Sequence, residues 1–148
     1  MSLWNRLFTK RDLPQLEKLE AELETLLKKS NSEFLILVGI SGNIKGRDIF
    51  TIRDQQRTSF SDRQLKIFAA KGAEFYSRFE KLDFIPPEVG GGVQVVKFYY
   101  NSDMQFYLIP VTESFMILSY NSTAIKILNN IDKTKEVLSE IKSGTTGE

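Results

Sequence analysis

The sequence contains no cysteine and no histidine. These absences exclude disulfide bonds, zinc sites built from cysteine and histidine, thiol nucleophiles and any catalytic step that uses an imidazole. Enzyme chemistry would have to rely on carboxylates, lysine, tyrosine, serine or threonine. The chain also lacks an excess of either charge, because 20 lysine and arginine residues stand against 19 acidic residues, for a net charge of +1. This balance argues against a nucleic-acid partner bound by bulk charge.

Long hydrophobic runs are missing as well. No apolar stretch approaches the roughly 20 residues of a membrane-spanning helix, and the first residues are too polar for the core of a secretory signal. We therefore expect a cytoplasmic protein. Hydrophobic residues make up 41% and charged residues 26% of the 148 residues, which is the composition of an ordinary globular protein. The length predicts a single domain with a sizeable core.

Residues 1–11 are predicted to form an amphipathic N-terminal extension. Its large apolar residues fall on one side of a helical wheel, next to three basic residues, and they are Leu3, Trp4, Leu7 and Phe8. One interpretation is a short arm that packs on the body of the protein. The other is a segment that docks on a partner or makes peripheral contact with a membrane surface, as basic amphipathic helices do.

Hydrophobic periodicity predicts the order α-β-β-α-β-β-β-α over residues 12–142, with a disordered tail at 143–148. The helices are expected at about 13–29, at about 62–82 and up to 142, with a weak stretch at 129–133 that kinks or breaks the last one. The strands are expected at 34–40, 48–53, 93–100, 104–111 and 115–120. Short loops between the last three strands favour an antiparallel meander. We predict an α+β sandwich, a five-stranded antiparallel sheet with helices on both faces, because most strands are apolar on both sides.

The second predicted helix combines a capping signal with an unusual cluster of small residues. Ser61 and Gln64 fit the Ser-x-x-Gln capping box that begins a helix. The helix then carries an apolar stripe, Leu65, Phe68, Phe75, Phe79 and Leu82, beside the small residues Ala69, Ala70, Gly72 and Ala73. A glycine inside a helix costs up to about 1 kcal/mol, and close approach of another backbone is the usual compensation. The approaching element is either the protein's own sheet or the same helix of a second copy.

Motifs for catalysis or cofactor binding do not emerge. The glycine-rich stretch 39–46 follows a strand and contains Lys45, but it lacks the spacing of a phosphate-binding loop and precedes another strand, so we interpret it as a hairpin turn. The aspartates sit at turns and helix caps, where Asp has a structural role. No clustered oxygen ligands suggest a metal site. We predict no catalytic residue, no cofactor and no metal.

The strand predicted at 93–100 is the more informative feature. It lies at one end of the meander, contains no proline and carries a single charged residue, Lys97. An open strand edge rich in Val, Phe and Tyr is an aggregation hazard unless it is covered, and pairing with another chain is one way to cover it. Together with the small-residue helix, this strand predicts a homodimer whose sheet continues across a two-fold axis.

The element order and several segments resemble the roadblock family, named after the dynein light chain roadblock. The alanine-rich stretch 65–79 is similar to the central helix of that family. The strand pair 93–100 and 105–111, with Pro110 near the end of its second strand, is similar to the family's hairpin, and residues 115–124 to its last strand and final helix. The first hairpin departs from the family pattern, because its turn over residues 42–47 is longer than the usual acidic-glycine turn.

This resemblance implies a small dimer, either a homodimer or a pair with a paralogue, and a non-catalytic role. The implied role is to scaffold or regulate small Ras-like GTPases, which includes stimulation of GTP hydrolysis, or to serve in a motor or polarity complex. The implied dimer contacts are Ala69, Gly72, Ala73 and Tyr76 on the helix and Val93, Val95 and Lys97 on the strand. The alternative function is a profilin-like or longin-like adaptor that binds actin or trafficking partners, for which a monomer with a different helix order is expected.

The two interpretations of residues 1–11 are separated by liposome flotation of the full chain and of a chain without that segment. If the segment contacts membranes, only the full chain floats, and the emission of Trp4, the single tryptophan, shifts to shorter wavelength on binding. If the segment packs on the body, neither chain floats and the emission of Trp4 is insensitive to liposomes.

Overall fold

The computed structural model describes residues 13–56, 60–80, 94–101, 104–120 and 124–142. Its helices are α1 Leu13–Ser30, α2 Asp62–Glu80, α3 Ala124–Asn130 and α4 Asp132–Lys142, and its strands are β1 Phe34–Gly39, β2 Asp48–Arg53, β3 Val96–Asn101, β4 Met104–Pro110 and β5 Phe115–Tyr120. The predicted order is confirmed. The last predicted helix is divided into α3 and α4 at Ile131, within the stretch expected to kink or break.

Within these residues the strands form one antiparallel five-stranded sheet in the order β2-β1-β5-β4-β3. The last three strands make the predicted meander, and β1 pairs with both β5 and β2. Strand β3 therefore lies at one edge of the sheet and β2 at the other. Pro110 ends β4 opposite Met116, where a missing N–H disturbs the ladder least.

One face of the sheet is covered by α1 together with α3 and α4. The inner side of α1 presents a row of buried leucines, Leu16, Leu19, Leu23, Leu26 and Leu27, to the sheet and to the C-terminal helices. Because the burial of each leucine contributes roughly 1.5–3 kcal/mol, this row anchors the helix. All six residues of β1 are buried, which explains why its sequence reads as an unbroken apolar run.

The other face is covered by α2 and is rich in aromatic rings. Phe34 stacks on Tyr120 with ring centroids 5.5 Å apart, and Phe60 meets both Phe34 and Phe68 edge to face at 5.8 and 5.1 Å. Phe68 continues the contact to Phe106 at 5.4 Å. Such pairs add about 0.5–1.5 kcal/mol each beyond their buried area, so this cluster fixes the start of α2 against the sheet. The sandwich with helices on both faces is thereby confirmed.

The start of α2 is also fixed by its cap. The backbone N–H of Ser61 donates to Oε1 of Gln64 at 2.8 Å, and the backbone N–H of Gln64 donates to Oγ of Ser61 at 3.2 Å. This reciprocal pair is the predicted capping box. An ion pair between Arg53 and Asp62 joins the end of β2 to the first turn of the helix.

The glycine-rich stretch after β1 is the predicted hairpin turn. The N–H of Gly46 donates to the carbonyl of Gly39 at 2.8 Å, and the N–H of Gly39 donates to the carbonyl of Arg47 at 3.0 Å. Strand β2 follows, so the stretch does not open a helix as a phosphate-binding loop does. Gly39 is needed for space, because a Cβ there would overlap the carbonyl oxygen of Ile44, whereas Gly42 has a φ of +60° and open surroundings.

Several predictions concern residues outside the described ranges. These are the extension at 1–11 with Leu3, Trp4, Leu7 and Phe8, the end of the second helix at 81–82, the first residue of the edge strand, Val93, and the tail at 143–148. Among the described residues, no helix combines the length and the apolar character that crossing a bilayer requires.

The turn glycines give a test of the first hairpin. We expect Gly39→Ala to lower the free energy of unfolding by about 1–3 kcal/mol, because the new methyl group must displace backbone. Gly42→Asn keeps a residue that tolerates positive φ and meets no neighbouring atom, so its loss should stay below about 1 kcal/mol. Urea unfolding followed by circular dichroism measures both, and equal losses would contradict this account of the turn.

Candidate functional site

Helix α2 presents its small residues to its own sheet. Ala69, Ala73 and Tyr76 are buried together with Leu65 in the core between α2 and the sheet. Gly72 is equally close, because a Cβ at that position would lie 3.2 Å from Cε of Met116 and 3.4 Å from Cδ2 of Leu108. Of the two elements considered for close approach, the protein's own sheet is the one observed.

The helix residues predicted to contact a second copy, Ala69, Gly72, Ala73 and Tyr76, are buried against the sheet of their own chain, and their contact with a second copy stays a prediction. The space between α2 and the strands is narrow at Gly72, where a Cβ would meet Met116 and Leu108, which explains the small residue there. The sides of α2 that are not packed on the sheet remain accessible to a second copy.

The outer side of α2 carries large apolar residues that are unusually exposed. Ile67, Phe75 and Phe79 keep 49%, 46% and 40% of their surface accessible. The sequence pattern placed Phe75 and Phe79 in one apolar stripe with Leu65 and Phe68; Leu65 is buried and Phe68 half-buried, whereas Phe75 and Phe79 are exposed. Ile67 lies on the side of the helix away from the sheet, Phe75 lies on its flank, and Phe79 lies in its last turn.

A groove separates the outer side of α2 from the β3–β4 hairpin. Its volume is about 390 Å³, and its walls include Ile67, Phe75, Phe98 and Met104, with Lys71 at the rim of α2. The rings of Phe75 and Phe98 lie 5.9 Å apart and connect the helix to the edge strand. Nearly all atoms lining the groove are apolar, so it suits a hydrophobic side chain and offers no set of polar groups for a substrate.

The edge strand β3 has two distinct faces. Val96 and Phe98 pack on the core between α2 and the sheet, whereas Val95 packs on the core of the opposite face, which α1 covers. Lys97 and Tyr99 belong to the same face as Val95 and are exposed. Of the three strand residues assigned to a dimer contact, Val95 is thus half-buried and precedes the strand, Lys97 is exposed, and Val93 lies outside the described ranges.

Lys97 is placed between two tyrosines. Its Nζ lies 4.9 Å from the ring centroid of Tyr99 and 5.4 Å from that of Tyr107. Hydrogen bonding with Tyr99, and then with Tyr107, raises the pKa of Lys97 above its ordinary value. Tyr107 in turn donates from its hydroxyl to Oε1 of Gln105 at 3.5 Å.

We call the outer side of α2 with the adjoining edge strand the α2–β3 surface, defined by Ile67, Phe75, Phe79 and Phe98. It joins an exposed apolar patch to a strand that has no neighbour on its outer edge within the described residues. Those residues also contain no group of three acidic side chains placed to hold a metal ion. The arrangement is suited to contact with another macromolecule.

Comparison with known proteins identifies the fold. No family model and no curated protein matches the sequence. Among solved structures, the gliding protein MglB from Thermus thermophilus superposes with a TM-score of 0.67 at 14% identity, over 87% of this chain and 91% of that one. An MglB with a tetrameric arrangement gives 0.66 at 15% identity, over 87% and 90% of the two chains.

A Roadblock/LC7 domain from Streptomyces avermitilis superposes with a TM-score of 0.58 at 12% identity, over 82% of this chain and 95% of that chain. At these identities the likeness is one of fold. The chain has the roadblock fold over most of its length, and the resemblance seen in its sequence is confirmed at that level. The observed element order is the one that the sequence predicted.

The two sides of α2 should respond differently to substitution. Gly72→Leu forces a large side chain against Met116 and Leu108, and we expect it to lower the free energy of unfolding by about 1–3 kcal/mol or more. Ile67→Ser alters an exposed position and should change the stability of the monomer by less than about 1 kcal/mol. Urea unfolding at a low protein concentration makes the comparison, and a larger loss for Ile67→Ser would contradict the assignment of the two sides.

Proposed function

We propose that this protein is a non-catalytic, dimeric regulator or scaffold for a small Ras-like GTPase. The observation that carries the proposal is the α2–β3 surface on a roadblock fold, where an exposed apolar helix side adjoins an open strand edge. The partner class comes from the sequence resemblance to the roadblock family. The proposal includes a homodimer or a pair with a paralogue, without a catalytic residue or cofactor.

The geometry supports a particular form of dimer. If β3 pairs antiparallel with β3 of a second copy, the two sheets become one and the two α2 helices lie side by side on the same face. A two-fold axis makes the contact self-complementary, so Phe75 and Phe79 of each copy would meet the apolar groove of the other. This arrangement pairs the outer edge of β3, which has no neighbouring strand among the described residues, and covers the exposed rings of α2.

The chemistry of the chain supports a role that works through its surface. It has no histidine or cysteine, and the lining of its apolar groove offers no acid–base pair. A GTPase bound to such a dimer would be positioned or held in one conformation by contacts, because a ligand shifts a two-state protein only through different affinity for the two states. The nucleotide-dependent switch regions of a GTPase provide such states.

The dimer is tested by light scattering after gel filtration. We expect the wild-type chain to measure twice its 17.0 kDa at micromolar concentration. Phe75→Glu should give a monomer, with association weakened at least about a hundredfold, because an unpaired charge buried in an apolar interface costs several kcal/mol. Ala21→Glu, which adds the same charge on the exposed side of α1, is the matched control and should remain a dimer. A wild-type monomer, or a Phe75→Glu dimer, would contradict the proposed contact.

The partner is tested separately by retention on immobilised protein. Small Ras-like GTPases encoded in the same genome are loaded with GDP or with a non-hydrolysable GTP analogue and passed over the wild-type chain. We expect at least one of them to be retained with a clear preference for one nucleotide state. If every GTPase is retained equally in both nucleotide states, or if none is retained, the regulatory role is contradicted even if the chain is a dimer.

A further inference from the structure

The face of β3 that points away from α2 carries a second, chemically different surface. Lys97 and Tyr107 are directly paired across the β3–β4 hairpin, as are Tyr99 and Gln105. Side chains alternate along a strand, so these four residues share one face of the sheet. Tyr99 keeps 56% of its surface accessible and Lys97 is exposed, so helices α1, α3 and α4 do not cover these two residues.

The ammonium of Lys97 is held in place without an acidic neighbour. Among the described residues, Arg53 pairs with Asp62, and Lys71 and Arg78 both contact Glu74. No carboxylate of the described residues forms such a pair with Lys97. Two tyrosine rings position its Nζ instead, at 4.9 and 5.4 Å from their centroids. A cation on an aromatic face keeps its attraction for anions, and its position is already restricted before a partner arrives.

We propose that Lys97, Tyr99 and Tyr107 form a docking surface for an acidic segment of a partner protein, and we call it the Lys97–tyrosine surface. A carboxylate of the partner would receive hydrogen bonds from the ammonium of Lys97, and the exposed ring of Tyr99 would pack on the aliphatic part of the same segment. The choice of an acidic polypeptide follows from charge complementarity, because Lys97 is an exposed positive charge that lies over two tyrosine rings and pairs with no carboxylate of the described residues.

The surface exists in one chain, and the proposed dimer would double it. Antiparallel pairing of β3 with its copy places both Lys97 side chains on the same face of the continuous sheet, near the two-fold axis. Two fixed charges within reach of one acidic segment strengthen binding through effective concentration. Only this doubling rests on the proposed dimer.

The test is fluorescence anisotropy of a fluorescein-labelled octaglutamate peptide titrated with the full chain at low ionic strength. We expect Lys97→Met, which keeps the aliphatic stem over Tyr107, to weaken binding by about fivefold. Lys97→Arg should restore most of the affinity. Lys18→Met removes an equal charge from the exposed side of α1 and should leave binding unchanged. Circular dichroism confirms that the variants are folded.

The outcomes separate this surface from the dimer. A Phe75→Glu chain that is monomeric by light scattering should still bind the peptide, more weakly than wild type, and should still be sensitive to Lys97→Met. Octaglutamate binding that Lys97→Met leaves unchanged, or no binding at all, overturns the proposal whether or not the chain is a dimer. Lys97-dependent binding of phosphatidylserine vesicles without binding of octaglutamate overturns it in favour of a membrane role.

Discussion

Helix α2 lies close to the sheet because the side it presents is made of glycine and alanine. Gly72 leaves space for Met116 and Leu108, and Ala69 and Ala73 are buried beside it. This close packing determines the orientation of the whole helix. Once the small residues face inward, Ile67 lies on the side of the helix away from the sheet and Phe75 on its flank, although their hydrophobicity alone would favour the core. The exposed apolar side is thus a consequence of how the inner side packs.

The exposed apolar residues of α2 lie next to the edge strand β3. The strand order places β3 at the edge of the sheet, beside the flank of α2 that carries Phe75, and the rings of Phe75 and Phe98 connect the two elements. The edge strand then has two environments that differ in chemistry. Toward α2 it is aromatic and apolar, which suits a second copy of the same surface. Toward the opposite face it carries Lys97 between two tyrosines, which suits an acidic partner.

Much of the fold could be predicted from the sequence, because local signals agreed with the tertiary structure. The leucine spacing of α1, the reciprocal cap of Ser61 and Gln64, and the unbroken apolar run of β1 each predicted the observed element. The site was harder to predict. Periodicity shows that α2 is amphipathic, but its stripe of large apolar residues lies next to its stripe of small residues. Which stripe faces inward depends on the space between the helix and the sheet, which the sequence pattern does not contain.

Other features depend on tertiary contacts that have no local pattern. The two tyrosines around Lys97 come from neighbouring strands, so their proximity follows from the register of the β3–β4 hairpin and not from spacing along the chain. The signal available in the sequence was Tyr99, an aromatic residue two positions after Lys97, the single charged residue of the predicted edge strand. The weak stretch near Ile131, by contrast, correctly indicated the division between α3 and α4.

The proposed dimer brings two copies together through α2 and β3, and the absence of cysteine makes a direct measurement of this contact simple. A spin label on a single cysteine can be introduced at Lys66, on the exposed part of α2, or at Lys18, on the opposite side of the sandwich. Pulsed electron resonance then measures the distance between labels in two copies. We expect a well-defined distance between the two Lys66 labels of a dimer, clearly shorter than the distance between the two Lys18 labels. A shorter distance for Lys18, or no intermolecular distance at either site, would contradict the proposed dimer.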